Sequence, residues 1–281
     1  MRHFHFTDRG NAANEDFAYA TQRYGIVIDG ATGLTDLPLV SEEFATNAQW
    51  FSHTVGAFVC AALDAGAAVE RALLDAVALA RGELERALGC EVGQLDSAAV
   101  PSATLALAVV GEKSVELWGL GDSPLVVFAR SGDLLVSTDE VLESLDGHVV
   151  DLMVERSAGR DLTVAERRAL VREEVLANRR LRNTERGYWC LDPTGVGLAH
   201  ARRMTLPRAE VVAVAGMTDG LYRAFGQYGM ARLSDDLVGL TYLSTQLLCD
   251  RMRVLEAKDA ALARFPRMKV GDDASLFWLG M

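Results

Sequence analysis

Apolar runs that end in an acidic residue constrain this chain more than anything else in it. Tyr24-Gly25-Ile26-Val27-Ile28 runs into Asp29-Gly30, and Val211-Val212-Ala213-Val214-Ala215-Gly216-Met217 runs into Thr218-Asp219-Gly220. Such runs read as strands buried on both faces, so each aspartate should emerge at a strand end. Two further acidic stretches also touch strands: Asn14-Glu15-Asp16 leads into one, and Asp272-Asp273-Ala274-Ser275 precedes the apolar Leu276-Phe277-Trp278-Leu279. A buried carboxylate without a partner is strongly disfavoured, and few basic residues stand close by in sequence, so cations are the expected partners. Oxygen-only donors suit Mg or Mn; zinc would draw on the His and Cys that these stretches lack.

With 281 residues, half of them hydrophobic, the chain can bury one large core, and its length fits one domain better than two small ones. A net charge of -11 argues against a nucleic-acid surface, which needs clustered Lys and Arg. Cys60, Cys90, Cys190 and Cys249 form no CxxC pair, which predicts neither a zinc knuckle nor a disulfide framework and points to a reducing compartment. The N-terminal residues lack the apolar core of a signal peptide, and no stretch approaches the roughly 18 apolar residues of a membrane span. A cytoplasmic protein without membrane partners is the expectation.

Strands are expected at residues 3–6 and 16–28, with a turn around Gly10 to Asn14, and at 104–110, 115–120 and 125–128 as an antiparallel meander. Helical spacing runs from Ser41, a candidate cap, to about Leu63, and again from Ala67 to Leu88 before Gly89. The segment 137–200 differs: it is expected helical from about Val141 to Leu181 and then irregular, and reads as an insertion or lid. Between Asp151 and Arg208 the chain holds twelve Arg against eight Asp and Glu, a local positive excess. Strands at 203–206 and 211–215, a helical stretch from about Ser234 to Ala263 and a final strand to Leu279 complete the chain. Strands grouped with strands and helices with helices indicate an α+β layered domain.

Taken in order, Asn14-Glu15-Asp16, Val27-Ile28-Asp29-Gly30, Gly121-Asp122-Ser123, Thr218-Asp219-Gly220-Leu221 and Asp272-Asp273-Ala274-Ser275 resemble the metal-dependent protein phosphatases of type 2C, over nearly the whole chain. The resemblance implies a four-layer αββα sandwich, two antiparallel sheets flanked by helices, with two divalent cations, Mg or Mn, at one end. By position, Asp29 would bridge both metals. Asp219 and Asp272 would complete the first site, and Glu15 with the carbonyl of Gly30 the second. Asp122 would serve a third, weaker metal shared with Asp219, while Asp16 and Asp273 would support these ligands through hydrogen bonds. The implied activity is hydrolysis of phosphoserine and phosphothreonine in a phosphorylated protein by a metal-bridging hydroxide, without a covalent enzyme intermediate. The chain accordingly contains no nucleophile elbow, HExxH, Walker loop or GxGxxG fingerprint.

Two positions depart from the family pattern. Asn11 stands where an Arg usually grips the phosphate, which leaves Arg9 as the nearest candidate, and Ala31-Thr32-Gly33 follows the Asp-Gly pair where some members carry a His. These departures keep two rivals open: a catalytically weak pseudophosphatase that acts as a partner-binding module, and a small-molecule phosphohydrolase. His3 and His5 share one strand face but have no third ligand at suitable spacing, and His53, His148 and His200 are isolated.

Overall fold

The computed structural model describes residues 2–35 and 37–281. Its strands are β1 (Arg2–Asp8), β2 (Asp16–Ala20), β3 (Tyr24–Ala31), β4 (Ser102–Val110), β5 (Ser114–Leu120), β6 (Leu125–Ala129), β7 (Leu134–Ser137), β8 (Arg202–Pro207), β9 (Val211–Met217) and β10 (Ala274–Gly280). Its helices are α1 (Asn47–Asp64), α2 (Val69–Leu88), α3 (Glu140–Ser157), α4 (Val164–Ala169), α5 (Arg172–Arg180), α6 (Asp219–Tyr222), α7 (Leu233–Asp236) and α8 (Tyr242–Lys258). The strands form two antiparallel five-stranded sheets, ordered β1-β10-β9-β6-β7 and β2-β3-β4-β5-β8.

Side-chain alternation along the strands builds the layers. On β3, Tyr24, Ile26 and Ile28 pack under α1 and α2, which contribute Trp50, Phe51, Val55, Leu73, Val77 and Leu84. Val27 points the other way, into an inter-sheet core with Ala106, Leu117, Val127, Val214, Phe277 and Leu279. On β10, Leu276 and Trp278 face the opposite outer layer, where Leu248, Cys249 and Met252 of α8 cover them. The result is the α+β layering that the strand and helix grouping predicts, in the form the resemblance implies: two antiparallel sheets with helices on both outer faces. Phe277 fits between the sheets because Gly25 and Gly216 leave it room: a Cβ on either glycine would come within 2.3 Å of its ring.

Several expected boundaries move, each for a local reason. The stretch 16–28 is two strands, since the Thr21 hydroxyl accepts the N–H groups of Arg23 and Tyr24 and closes a turn between them. Helix α1 starts at Asn47 rather than near Ser41, because Ser41 caps only a turn through the N–H of Glu43, while Thr46 takes the N-cap by accepting from Gln49 N. The three strands after Ser102 are not one meander. β4 and β5 pair, but 121–124 carries the chain across to the other sheet, where β6 pairs with β9 and β7. Gly121 makes that turn with φ 67°, and its N–H is taken by the carbonyl of Trp189.

The expected helix from Val141 to Leu181 is α3, α4 and α5, broken at Gly159 (φ 70°) and again before Arg172. In the stretch 234–263, α7 is followed by a break at Leu240 and by α8, which Thr241 caps together with Ser244. Strand β7 was not expected. Among the described residues, no helix is long and apolar enough to cross a membrane.

Candidate metal centre

The acidic residues gather where strand parity sends them. Asp29 shares the inter-sheet face of β3 with Val27, and its register partner on β2 is Asp16, so both carboxylates cap one end of the inter-sheet core. Asp219 opens α6 just beyond β9, Asp272 and Asp273 lead into β10, and Asp122 lies in the crossover from β5 to β6. Glu15 immediately precedes β2.

Hydrogen bonds fix this arrangement from behind. Asp273 accepts from the backbone N–H groups of Gly10 (2.8 Å) and Asn11 (3.2 Å) through Oδ1 and of Glu15 (2.9 Å) through Oδ2, tying the β1–β2 loop to β10. Glu15 Oε1 accepts from the hydroxyls of Thr46 (2.7 Å) and Thr32, which orient its carboxylate. The carbonyl of Glu15 receives the N–H of Gly30 at 3.2 Å, placing Gly30 beside it. Asp16, 2 % exposed, accepts from the Thr218 hydroxyl at 3.0 Å through Oδ2, while Oδ1 has no hydrogen-bond partner. His53 Nε2 donates to the Asp16 carbonyl at 3.0 Å, which assigns it a structural part.

Charge is concentrated here beyond what the protein neutralises. Burial, then the carboxylates of Asp16, Asp219, Asp272 and Asp122, push Asp29 well above the usual carboxylate range. Burial and the charges of Asp219 and Asp146 do the same to Asp122. Asp16 is pushed up to about 8, chiefly by burial. Asp146, on α3 at the solvent edge of the cluster, is raised to about 6 by the protein packed around it and by Asp219. Sequence reasoning missed Asp146: it lies inside the supposed lid, and only the fold brings it to the centre.

Two protein cations enter the cluster, although few basic residues stand close by in sequence, and they correct the expectation that only bound cations would partner these carboxylates. Arg223 Nη2 donates to Asp219 Oδ2 at 2.6 Å and to Asp272 Oδ2 at 3.1 Å. Lys269 Nζ donates to Asp272 Oδ1 at 2.9 Å, and Asn11 Nδ2 to the same oxygen at 2.8 Å. Burial alone would raise Asp272, yet Lys269 and Arg223 hold it down to about 2. The signal was present as spacing: Arg223 follows Asp219 by one helical turn, and Lys269 precedes Asp272 by three residues. Arg9 is exposed on the β1–β2 loop, its guanidinium against the Ala12 carbonyl at 3.5 Å.

The donors suit a hard divalent cation in kind, being carboxylates together with the backbone oxygen of Gly30. The raised carboxyls and the orphaned Asp16 oxygen mark a cluster short of positive charge. Among the described residues, no three His, Cys, Asp or Glu side chains already converge as a coordination shell, and Arg223 and Lys269 hold the oxygens of Asp219 and Asp272.

A search of curated proteins finds no match to the chain. Solved structures do match its fold. The serine/threonine phosphatase PstP/Ppp of Mycobacterium tuberculosis is 16 % identical with a TM-score of 0.58, covering 100 % of this chain and 99 % of that one. The PstP catalytic domain in complex with two manganese ions is 18 % identical with a TM-score of 0.56, covering 99 % and 96 %. The serine/threonine phosphatase Stp1 of Staphylococcus aureus is 15 % identical with a TM-score of 0.56, covering 99 % and 94 %. At the level of sequence, the family model for protein phosphatase 2C matches residues 9–265, nearly the whole chain and every acidic stretch except the last. The chain therefore belongs to the protein phosphatase 2C family.

Proposed function

We propose that the chain is a Mg- or Mn-dependent phosphatase that hydrolyses phosphoserine or phosphothreonine in protein substrates. The observation that carries this reading is the concentration of Asp29, Asp122, Asp219 and Asp272 at one end of the inter-sheet core, with Asp29 and Asp122 held above their ordinary range by burial and by neighbouring carboxylates, Asp219 acting on both. Asp29 would hold both cations, Asp219 and Asp272 one of them, and Glu15 with the Gly30 carbonyl the other. Asp122 and Asp219 would hold a third, weaker one. Cations at such a site supply Lewis acidity and an activated water, which a carboxylate cluster alone cannot.

The protein's own part is positioning. Thr32 and Thr46 fix the orientation of the Glu15 carboxylate, and Asp273 pins the backbone that carries Glu15. Asp16, held by Thr218, supports Asp29 from the neighbouring strand. Arg9, on the loop that leads to Glu15, is the proposed phosphate-binding guanidinium in place of the residue that Asn11 replaces. Residues 137–200 form an insertion that borders the centre through Asp146 and supplies the substrate-facing surface. The four cysteines, all unpaired, support a reducing, cytoplasmic setting.

One observation favours a second reading, a catalytically weak pseudophosphatase that serves as a partner-binding module: Arg223 and Lys269 already sit on two of the proposed ligands. Turnover of p-nitrophenyl phosphate and of a phosphothreonine peptide with Mn, with and without chelator, decides between them. Mn-dependent turnover abolished by chelator supports the phosphatase; Mn binding without turnover of either substrate selects the pseudophosphatase.

A further inference from the structure

Arg223 is placed where a first metal would be expected to act. It reaches two carboxylates that are 53 residues apart in sequence through one nitrogen, Nη2, at 2.6 Å from Asp219 and 3.1 Å from Asp272. Lys269 engages the remaining oxygen of Asp272 at 2.9 Å. The Arg223–Asp272 contact is not a loose surface pair, since its side chains are only 20 % and 16 % exposed. Desolvated ion pairs of this kind are strongly disfavoured when one partner is removed, because the other charge stays behind. Both oxygens of Asp272 and Oδ2 of Asp219 are already engaged by these donors, so a divalent cation ligated through those atoms competes with Arg223 and Lys269 for them.

We infer that Arg223, assisted by Lys269, is a built-in cation latch on the metal centre: it closes the Asp219–Asp272 position when metal is absent, and a divalent cation enters only by displacing it. The latch holds the acidic end of the sandwich together in the metal-free state and lowers metal affinity, so occupancy follows the free Mn or Mg concentration. This rests on the metal-dependent reading above, but concerns affinity and metal-free stability rather than turnover. A purely structural ion pair, or an arginine that orients the ligands for metal, predicts the opposite sign: its loss leaves metal binding unchanged or weakens it.

The test is calorimetric titration with MnCl2 of the wild type, Arg223→Gln, Lys269→Gln and, as a control, Arg179→Gln, each stripped of metal. Arg179 acts on Asp146 at the edge of the cluster and bonds to Ser102, so its substitution removes one nearby charge without freeing Asp219 or Asp272. We expect Arg223→Gln to bind Mn at least about tenfold more tightly than the wild type, a difference of about 1.4 kcal/mol, with Lys269→Gln intermediate and Arg179→Gln close to the wild type. In chelator, Arg223→Gln should melt several degrees below the wild type, and saturating Mn should erase that gap. Should Arg223→Gln fail to fold without metal, Lys269→Gln carries the same comparison on Asp272.

Affinities of Arg223→Gln and Lys269→Gln equal to or weaker than the wild type overturn the latch and leave the phosphatase reading standing. So does an equal tightening in Arg179→Gln, which would reduce the effect to net charge. A wild type that binds no Mn beside an Arg223→Gln that does supports the latch and sinks the phosphatase reading. No binding in any variant sinks both.

Discussion

Asp16 and Asp29 face each other as register partners across the β2–β3 ladder, two carboxylates on the same face of one sheet at the mouth of the sandwich. Like charges opposed in this way destabilise a strand pair. The pair persists because Thr218 reaches over from the other sheet to one oxygen of Asp16, and burial together with the neighbouring carboxylates pushes Asp29 well above the usual carboxylate range, which favours its protonated form. Asp29→Asn imitates that protonated form without changing its shape. In chelator the variant is expected to melt at or above the wild-type temperature, while Mn-dependent phosphatase activity and at least one Mn equivalent disappear. A metal-free melting point clearly below the wild type would show that Asp29 is ionised and paired in the absence of metal.

The same group of carboxyls gives the metal-free protein a stability that depends on pH with a definite sign. Asp16 rises from 3.8 to about 8 on folding and Asp146 to about 6, so the native state keeps protons that the unfolded chain has released. Unfolding then releases protons between roughly pH 4 and pH 8, and stability falls as pH rises through that window. Asp272, lowered to about 2, acts oppositely: its contribution is lost only as pH drops below about 4. Melting curves in chelator at about pH 5 and about pH 8 should show the higher midpoint at the lower pH, and Asp16→Asn should flatten that slope. A flat wild-type profile would count against the raised carboxyls.

Thr218 joins the two sheets beneath the site. It is fully buried, donates to Asp16 Oδ2 and accepts the N–H of Ser275, both at 3.0 Å. Thr218→Val keeps the volume but strands a buried N–H and a buried carboxyl, at a cost of about 1–3 kcal/mol. The midpoint should fall by several degrees in chelator and in Mn alike, which separates this support from metal binding itself. An unchanged midpoint would mean that water or a neighbour takes over both bonds.

Residues whose neighbours in the fold are also neighbours in sequence were the legible ones. The apolar runs ending at Asp29 and Asp219 predicted their own strands and placed each aspartate at a strand end. Where a strand goes next was less legible: Gly121 to Pro124 looks like a hairpin turn, yet the choice between closing on β5 and crossing to β9 is made by partners such as Trp189, distant in sequence. Asp146 was hidden for the same reason, since nothing local in α3 tells a helix aspartate on solvent from one beside Asp219 and Asp122. Arg223 is legible by spacing alone, since the chain turns into α6 at Asp219 and brings the fifth residue back over the first.

Protection against hydrogen exchange should divide the molecule. Val211 to Ala215 lie in β9, where Ala213 to Ala215 are flanked on both sides by β10 and β6, and the amides of this doubly paired part should exchange only on global unfolding. Helix α4 has no buried residue, so its amides should exchange by local opening, orders of magnitude faster. Residues 150–190 are expected to be less protected as a whole than 211–215, with Arg182 an exception: it is buried against Asp192 and donates to the carbonyls of Val100 and Ser97. Equal protection across 150–190 and 211–215 would exclude a mobile lid.

Arg9 offers the last measurement. It is exposed on the loop whose next residue, Gly10, is clamped by Asp273, so its backbone is fixed while its side chain has only a long contact with Ala12 to give up. A guanidinium so placed can grip a phosphate that approaches the centre with two charge-assisted bonds. If it acts mainly in ground-state binding, Arg9→Ala should raise KM for a phosphothreonine peptide roughly tenfold or more with a much smaller change in kcat, whereas loss in the transition state alone would lower kcat at constant KM. Arg9→Lys should recover part of the affinity, since the charge returns without the fork. Kinetics of Arg9→Ala identical to the wild type would remove Arg9 from the site and pass the phosphate to the metals or to an arginine of the 137–200 insertion.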